Sequence, residues 1–254
     1  MTQLSLTALP NIPLIHRGDD LAAIILRGLA DAHITLADGD VLVLAQKIVS
    51  KAEGRMVRLR DVTPSPRAIE LAQQTGKDAR MCEVILWDTR EIVRARGELI
   101  IAETNQGWVC ANAGVDRSNV APHDVNEWVL RLPEDADRSA ENLRAHLHAL
   151  TNCHLGVIVN DTHGRAWRNG AVGVAIGVAG LPALEDMRGH TDLFGYHLHA
   201  TVIGLADQIA SAASLVQGQA DEGRPIVHVR GVPHSEKIGA AREIVRAKEF
   251  DLFR

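Results

Sequence analysis

Aromatic residues are scarce in this sequence, at 3% of its 254 positions. With so few large rings available, the core has to be built from Ala, Val, Ile and Leu, which suits helices layered on a sheet. Long hydrophobic runs are absent as well, since no apolar stretch approaches the ~18 uninterrupted residues of a membrane-spanning helix. The N-terminal segment also lacks the charged and apolar regions of a signal peptide. These absences predict a soluble, cytoplasmic protein with no membrane partner.

A surplus of positive charge is missing too. The formal net charge is −5, so we expect no nucleic-acid partner, because such partners select proteins that neutralise phosphates. The three cysteines, Cys82, Cys110 and Cys153, are widely spaced and form no CxxC, which argues against a disulfide framework or a structural zinc site. Each lies in an apolar run, so buried free thiols are predicted, with a catalytic cysteine as the lesser alternative.

Several well-known catalytic motifs are also absent. The sequence contains no GxxxxGK[ST], no GxGxxG between a strand and a helix, no GxSxG and no HExxH. A P-loop, a dinucleotide-binding turn, a serine-hydrolase elbow and a zinc-protease helix are therefore not expected.

The elements that are present predict an α+β fold, because meander-like strands are mixed with αβ units. We assign residues 1–254 to one domain, with either one lobe or two. Predicted strands cover 2–8, 41–45, 91–95, 98–103, 107–112, the HLGVIVNDTHG run and the IVHVRG run, and predicted helices cover 19–32, 65–75, 78–87, 135–150, 205–217 and 238–247. We expect Asp19 or Asp20 to cap the first helix, Ser139 to cap the helix at 135–150, and a polar loop to follow the buried VLVLA strand.

Two aspartate-bearing segments follow buried strands. In NDTHGRAWRNG (160–170), Asp161 and Thr162 offer the hard oxygen ligands that Mg²⁺ or Mn²⁺ prefers. In CANAGVDRSN (110–119), Asp116 and Asn119 offer further oxygens. A solvated turn, with each aspartate capping its own backbone, is the alternative for either segment alone. The two loops together favour a shared metal site.

Two further polar segments are candidates for phosphate binding. AQKIVSKAEGR (45–55) places Lys47 and Lys51 directly after the VLVLA strand, where their charge suits a phosphate, although exposed loop lysines are the common alternative. In VQGQADEGRP (216–225), Gly218 and Gly223 permit unusual backbone angles. That loop either wraps a nucleotide, with Gln219, Asp221 or Glu222 near a metal, or is a surface connection.

In this order and spacing the segments resemble one family, the gamma-glutamyl ligases that add glutamate to the des-glutamyl precursor of coenzyme F420. The resemblance covers nearly the whole chain. The matching stretches are IPLI with GDDL, GDVLVLAQKIVSKAEGR, ANAGVDRSNV, LPEDADRSAENLR, GVIVNDTHGRAWRNGAVGVAIGVAGL, ADQIASAASLVQGQADEGRPIVHVRG and the terminal EFDLFR.

The resemblance implies a two-lobed α+β fold of mixed sheet and helices, a homodimer, GTP as substrate, two divalent cations (Mg²⁺ or Mn²⁺) and K⁺. It implies that Asp116 and Asp161 hold the first metal, and that Thr162 and Gln219 lie near the second. The residues that it places at GTP are Ile12, Pro13, Leu14, Ile15, Gln46, Lys47, Lys51, Asn119, Gln217, Gly218, Gln219, Ala220, Asp221, Glu222, Gly223 and Arg224.

The implied reaction is GTP-dependent formation of a gamma-glutamyl amide through an acyl phosphate, with the deazaflavin precursor and L-glutamate as small-molecule substrates. The sequence departs from the archaeal pattern at Gln219, where archaeal members carry Glu. Since the sequence ends at Arg254, we expect no C-terminal flavin-reductase-like domain of the kind that some relatives carry. Glu53 is one candidate general base, but no catalytic residue is singled out. The alternatives are a different amino acid or acid acceptor, and a non-catalytic nucleotide-binding relative.

Overall fold

The computed structural model of this chain describes residues 3–121, 123–124, 126–235 and 237–252. Thr2, where the first predicted strand starts, and the last two residues of EFDLFR lie outside the described residues. The strands are β1 (Ser5–Ala8), β2 (Val41–Ala45), β3 (Met56–Arg58), β4 (Thr89–Arg96), β5 (Leu99–Thr104), β6 (Val109–Ala111), β7 (Trp128–Leu130), β8 (Gly156–Arg165), β9 (Arg168–Ala179), β10 (Glu185–Asp186), β11 (Val202–Ile203) and β12 (Ile226–Arg230). The helices are α1 (Leu21–Asp31), α2 (Gln46–Ala52), α3 (Pro66–Thr75), α4 (Ala79–Trp87), α5 (Ala136–Thr151) and α6 (Leu205–Gln217).

A five-stranded sheet in the order β1-β12-β2-β8-β9 forms the centre of the molecule. β12 is antiparallel to both of its neighbours, and β2 pairs in parallel with β8 over Val41↔Gly156 to Ala45↔Asn160. It follows that β1, β2 and β8 all run in one direction. Their carboxyl ends therefore lie at the same edge of the sheet, which we call the carboxyl edge.

Helices cover both faces of this sheet, as the continuous apolar run of β2 predicts. Side chains alternate between the two faces of a strand, so Leu42 and Leu44 pack with residues of α1 and α5. Val41 and Val43 face the other way and pack with residues of α6. The sheet thus separates two apolar layers built almost entirely from aliphatic residues.

The glycines of β9 allow the helices to approach closely. A Cβ at Gly173 would collide with Ser214 and with the backbone of Ala210 in α6. A Cβ at Gly177 would collide with the backbone of Ala136 at the start of α5. The small residues of the 171–181 run are therefore a packing requirement, and the run forms most of strand β9.

A second lobe lies between α2 and α5. It contains the β4-β5-β6 sheet, the β3-β7 pair, α3 and α4, and it has a separate apolar core around residues such as Leu59, Ile85 and Ile100. The α+β class predicted from the sequence is confirmed. The assignment of 1–254 to one domain stays a prediction. Among the described residues no helix is long and apolar enough to cross a bilayer.

Most predicted elements are confirmed. Asp20 caps α1 by accepting hydrogen bonds from Ala22 N and Ala23 N. Ser65 caps α3, which ends at Gly76 with a left-handed φ of 72°. The predicted meander is the β4-β5-β6 sheet, and α6 and β12 follow their predicted ranges closely.

The segment after the VLVLA strand is a correction. Residues 46–52 were predicted to form a polar loop, but they form helix α2, so Lys47 and Lys51 lie one helical turn apart. The apolar residues Ile48, Val49 and Ala52 recur at helical spacing and pack on the core that α1 and α5 share. This apolar face stabilises the helix, and it is easily missed among the polar residues.

Three other predictions are wrong. Asp135, and not Ser139, caps α5, because its carboxylate accepts from Arg138 N at 3.0 Å. Asp161 lies inside β8 and not beyond it, because the polar residues continue the strand into a hairpin with β9. In place of the predicted last helix, the described residues of 238–247 form a short 3-10 turn at Ala241–Ile244.

A buried ion cluster stabilises the opposite edge of the sheet. The carboxylate of Asp40, 2% exposed, accepts two hydrogen bonds of 2.7 Å from Arg230 and lies 2.9 Å from Nε2 of His228. Burial disfavours its ionisation, but hydrogen bonds from Arg230 and the Ala37 amide, together with the adjacent His228 ring, outweigh burial and hold the pKa of Asp40 below its ordinary value. The cluster links the turn before β2 to the end of β12.

Asp40→Asn is expected to lower the free energy of unfolding at pH 7 by about 2 kcal/mol, because two charge-assisted hydrogen bonds lose their ionised partner. The stabilisation exists above the ordinary aspartate pKa of ~4 and is lost as pH falls through the lowered folded pKa. Urea unfolding from pH 7 to pH 3 measures the effect, with the exposed Asp61→Asn as control. A difference between wild type and Asp40→Asn that stays constant down to pH 3 would contradict this account.

Candidate functional site

The polar segments singled out from the sequence meet at the carboxyl edge. Helix α2 starts directly after β2, and Asp161 follows Asn160, which pairs with Ala45 at the end of β2. The 218–225 loop leads into β12 at the same edge, where Ala45 N donates to Pro225 O at 2.7 Å. Ligand-binding groups of open sheets typically collect at the carboxyl ends of strands.

An ion pair joins α2 to the second lobe. The Lys47 ammonium contacts the Asp116 carboxylate and donates to Ser118 Oγ at 2.8 Å. Oδ1 of Asp116 accepts from the amides of Arg117 at 2.6 Å and Ser118 at 2.9 Å. The backbone of Asp116 is itself held by two hydrogen bonds with Leu130. The carboxylate is therefore fixed in orientation, and a positive charge lies directly against it.

The charges of this group are coupled. Burial works against ionisation of Asp116, yet the hydrogen bond and charge of Lys47, with Ser118, lower the pKa of Asp116 from its ordinary value. Burial and the like charge of Lys47 lower the pKa of Lys51. Two ammonium groups one turn apart thus form a positive surface beside an anchored carboxylate, an arrangement that suits a polyanion.

Asn119 connects α2 to the 217–224 loop. Lys51 Nζ donates to Asn119 O at 2.7 Å, and Asn119 Nδ2 donates to Ala220 O at 2.7 Å. The loop is braced internally, because Glu222 accepts from the Ala220 amide at 2.8 Å. Three segments that are far apart in sequence therefore converge, including Lys51, Asn119 and Ala220 from the predicted nucleotide set.

Asp161 and Thr162 lie on opposite faces of β8, as neighbouring strand residues do. Oδ2 of Asp161 lies 3.0 Å from Nε2 of His163, whereas Thr162 Oγ1 donates to Gln219 Oε1 at 3.0 Å. Burial, with the nearby negative charge of Asp161, raises the pKa of Cys110 to about 12. Cys110 is therefore a neutral buried thiol, and Asp161 lies close to β6, the strand that leads to Asp116.

Glutamine side chains organise the buried side of the edge. Gln46 donates to Ser50 Oγ at 2.7 Å, and Gln217 accepts from Asn160 Nδ2 at 2.7 Å. Gln217 also donates to Val43 O and Pro225 O. Gln46 and Gln217, both predicted to contact GTP, are buried, and their side-chain amides form hydrogen bonds within the protein. They therefore position the backbone of the carboxyl edge.

The remaining predicted residues make fewer contacts with this group. Ile15 is buried, and Ile12 packs on α1 near Gly28. Pro13 and Leu14 line an open groove of about 350 Å³ against α1. The rest of the 217–224 loop is exposed, namely Gly218 in part and Gln219, Asp221, Gly223 and Arg224 more fully. The structure thus gathers the α2, 116–119, 160–162 and 217–222 residues more tightly than the 12–15 segment.

The donor set at the carboxyl edge fits a hard divalent cation. Carboxylate oxygens from Asp116 and Asp161, a hydroxyl from Thr162 and an amide oxygen from Gln219 are the ligand types that Mg²⁺ and Mn²⁺ prefer. The buried side-chain amide oxygen Oδ1 of Asn160 has no hydrogen-bond partner among the described residues. No three His, Cys, Asp or Glu side chains of the described part of the chain form a ready metal cluster. In this arrangement Lys47 supplies the positive charge beside Asp116.

Sequence analysis missed Ser118 and His163. Both lie within the polar runs already singled out, and the side chain of each contacts the carboxylate two residues before it, Asp116 for Ser118 and Asp161 for His163. Glu53, named as one candidate base, accepts from Ser139 Oγ at 2.5 Å. Loss of water contact raises the pKa of Glu53, with Glu134 and Asp135 adding to the effect against the opposing influence of Ser139 and Arg55.

Comparison with known proteins agrees with the resemblance. Residues 10–231 match the family model described as F420-0:Gamma-glutamyl ligase. The chain is 45% identical over 253 residues to a coenzyme F420:L-glutamate ligase of Methanothermobacter thermautotrophicus, covering 99% of both chains. It is 48% identical over 244 residues to a protein of that name from Methanopyrus kandleri, covering 94% of this chain and 93% of the relative.

Lys47→Met is expected to raise the pKa of Asp116, because burial is then no longer opposed by the ammonium. It is also expected to raise the pKa of Lys51, because a like charge is removed. Carbon-detected NMR titration of carboxyl and lysine side-chain carbons measures both values. Lys248→Met, at an exposed lysine, is the matched control. Titration of Asp116 at its wild-type pH in Lys47→Met would show that the ion pair does not control this carboxylate.

Proposed function

This chain belongs to the F420-0:gamma-glutamyl ligase family, and on that basis we propose that it is a GTP-dependent ligase that adds L-glutamate to the des-glutamyl precursor of coenzyme F420. Nearly full-length identity of 45% to a relative named coenzyme F420:L-glutamate ligase supports the reaction. The convergence of Lys47, Lys51 and Asp116 at the carboxyl edge is the observation that supports a triphosphate site there.

The proposed chemistry follows from the weak reactivity of a carboxylate. Transfer of the γ-phosphoryl group from GTP to the precursor carboxylate forms an acyl phosphate and releases GDP. The amine of glutamate then attacks the acyl carbon and displaces phosphate, which leaves an amide and a proton. Such a reaction needs positioning and charge neutralisation more than covalent help from the protein.

We assign the residues of the carboxyl edge to those tasks. Lys47 and Lys51 bind phosphate oxygens, and Asn119 holds the 217–224 loop against the nucleotide. Asp116 and Asp161 would hold the first divalent cation, with Thr162 and Gln219 near the second. Bound there, Mg²⁺ or Mn²⁺ neutralises charge on phosphate oxygens. A K⁺ ion and a homodimer are further parts of the proposal.

Two alternatives keep the nucleotide site but change the outcome. The chain could ligate another amino acid, or act on another acid acceptor. It could also be a non-catalytic relative that binds GTP. The charged residues of the carboxyl edge and the high identity to named ligases favour catalysis.

The direct test incubates the protein with GTP, Mn²⁺, L-glutamate and the precursor, and measures product mass. Products heavier by one or more glutamyl groups, with stoichiometric GDP, are expected. A screen of other amino acids at fixed GTP concentration tests the first alternative, ligation of an amino acid other than glutamate. Calorimetry that detects GTP binding without turnover would establish the second.

Asp161→Asn is expected to abolish turnover, by a factor of at least ~10³, while the melting temperature stays near the wild-type value. The substitution keeps the side-chain volume and removes the ligand charge. Steady-state rates across a Mn²⁺ titration measure the effect, and Asp61→Asn, at an exposed aspartate of the second lobe, is the control. Activity that returns at saturating metal would place the essential ligand elsewhere.

Gln219→Glu is expected to lower the metal concentration for half-maximal activity by roughly tenfold, or about 1.4 kcal/mol. A carboxylate binds a hard cation more strongly than an amide oxygen does, and it can still accept the Thr162 hydrogen bond. Activity measured against Mg²⁺ and Mn²⁺ concentration tests this. Gln208→Glu, on the same helix-loop unit but within α6, controls for added charge. An unchanged metal requirement would remove Gln219 from the ligand set.

A further inference from the structure

A cavity of about 390 Å³ lies at the junction of the two lobes, and neither lysine of α2 is among its lining residues. Its volume is at the small end of the range of ~300–1,000 Å³ that is typical of ligand pockets. Arg55, Arg131, Asp88 and Glu134 line it, together with the ring of Trp87. Four ionisable side chains around one small cavity indicate a charged ligand.

Two of these charges cancel each other. Arg131 forms a bidentate pair with Asp88, at 2.7 Å from Nε and 2.5 Å from Nη2, and its guanidinium lies over the Trp87 ring at 5.3 Å from the centroid. The planar guanidinium of Arg131 contacts a carboxylate and an aromatic ring at the same time, and these two contacts fix its orientation. It forms a rigid, neutral wall of the cavity.

The other two charges are less fully matched among the described residues. Arg55 donates its Nε to Leu132 O at 2.9 Å, but it approaches Asp88 only at 3.5 Å, and its Nη1 makes no hydrogen bond to a described residue. The carboxylate of Glu134 makes no hydrogen bond or ion pair within the described parts of the chain. The cavity therefore offers one guanidinium donor group and one carboxylate acceptor.

The cavity is also close to the carboxyl edge. Ala113 lines it, and Asp116 is three residues further on, at most ~10 Å along an extended chain. Leu130, which pairs with Asp116, immediately precedes Arg131, and Gln46 at the start of α2 donates to the Arg131 carbonyl. A ligand in the cavity would thus lie beside the segments that carry the proposed phosphate site.

We propose that this cavity binds the amino-acid substrate, with a carboxylate of an acidic α-amino acid on Arg55 and its ammonium group on Glu134. A loosely paired guanidinium and a carboxylate with no ion pair among the described residues, in one small cavity, match a zwitterion better than a simple anion. The inference rests on the proposed ligase function, because it gives the glutamate of that reaction a binding place.

Glu134→Gln is the primary test, because Glu134 is exposed and its loss breaks no internal contact. KM for L-glutamate is expected to rise at least tenfold, with KM for GTP within twofold of wild type. Arg55→Gln is expected to act in the same way, and Arg55→Lys to recover part of the loss by restoring the charge. Glu98→Gln, in the exposed β4–β5 turn, is the matched control. Unchanged glutamate KM in both Glu134→Gln and Arg55→Gln would overturn the proposal.

Binding itself is measured without turnover through the indole N–H resonance of Trp87, assigned with Trp87→Phe. Millimolar L-glutamate added to the Mg²⁺–GTP-analogue complex is expected to shift this resonance, and glutarate, which lacks the ammonium, is expected to shift it far less. The resonance of Trp167, at the tip of the β8–β9 hairpin, serves as the internal reference.

The two measurements separate the two proposals. The enzyme could ligate glutamate although glutamate does not shift the Trp87 resonance and Glu134→Gln does not change KM for glutamate. That outcome would refute the cavity assignment and leave the proposed function standing. A glutamate-dependent Trp87 shift in a protein that ligates no glutamate would support the cavity and refute the function. Failure of both would refute both.

Discussion

The parallel pairing of β2 with β8 is the constraint on which the rest of this structure depends. Parallel strands cannot be joined by a tight turn, so the chain must leave one edge of the sheet and return to the other. Here the connection runs from Gln46 to Leu155, and it contains the whole second lobe. That lobe consequently starts at the carboxyl edge, and its 116–119 segment contacts α2 there. The location of the candidate site follows from this connectivity.

Charge is concentrated where the two lobes meet. Lys47 and Lys51 project from the first helix after β2, and the 112–119 loop of the second lobe brings Asp116 to them. A single ion pair between partly exposed groups contributes little to stability, about 1 kcal/mol or less. Its importance lies in positioning, since backbone amides and the Leu130 pairing hold the Asp116 carboxylate in place. The same segments extend to Arg131 and the neighbouring cavity. The candidate phosphate site and the cavity are therefore built on one continuous structural unit.

The central strand β2 and the helix that covers it, α6, were predictable from the sequence, because VLVLA and residues 205–217 carry strong apolar patterns. Helix α2 was not, because its buried face holds Gln46 and Ser50, which satisfy each other at 2.7 Å and read as loop residues. The β8–β9 hairpin was also obscured, since polar residues continue the strands beyond the core. Candidate residues were identified from local composition, but contacts such as Asn119 to Ala220, 101 positions apart, depend on tertiary packing.

The cavity at the lobe junction shows why local patterns are insufficient for a site of this kind. Arg55, Asp88 and Arg131 come from three different segments, and of these only Arg55 lies in a segment singled out from the sequence, at the end of AQKIVSKAEGR. Their chemistry becomes visible only when the loosely paired guanidinium of Arg55 and the carboxylate of Glu134 line one cavity, since each alone is an ordinary surface charge. Asp88 neutralises one arginine and leaves the other available. If both arginines were fully paired, the cavity would be lined only by structural salt bridges. The loose 3.5 Å contact between Arg55 and Asp88 is therefore the feature that indicates a binding site.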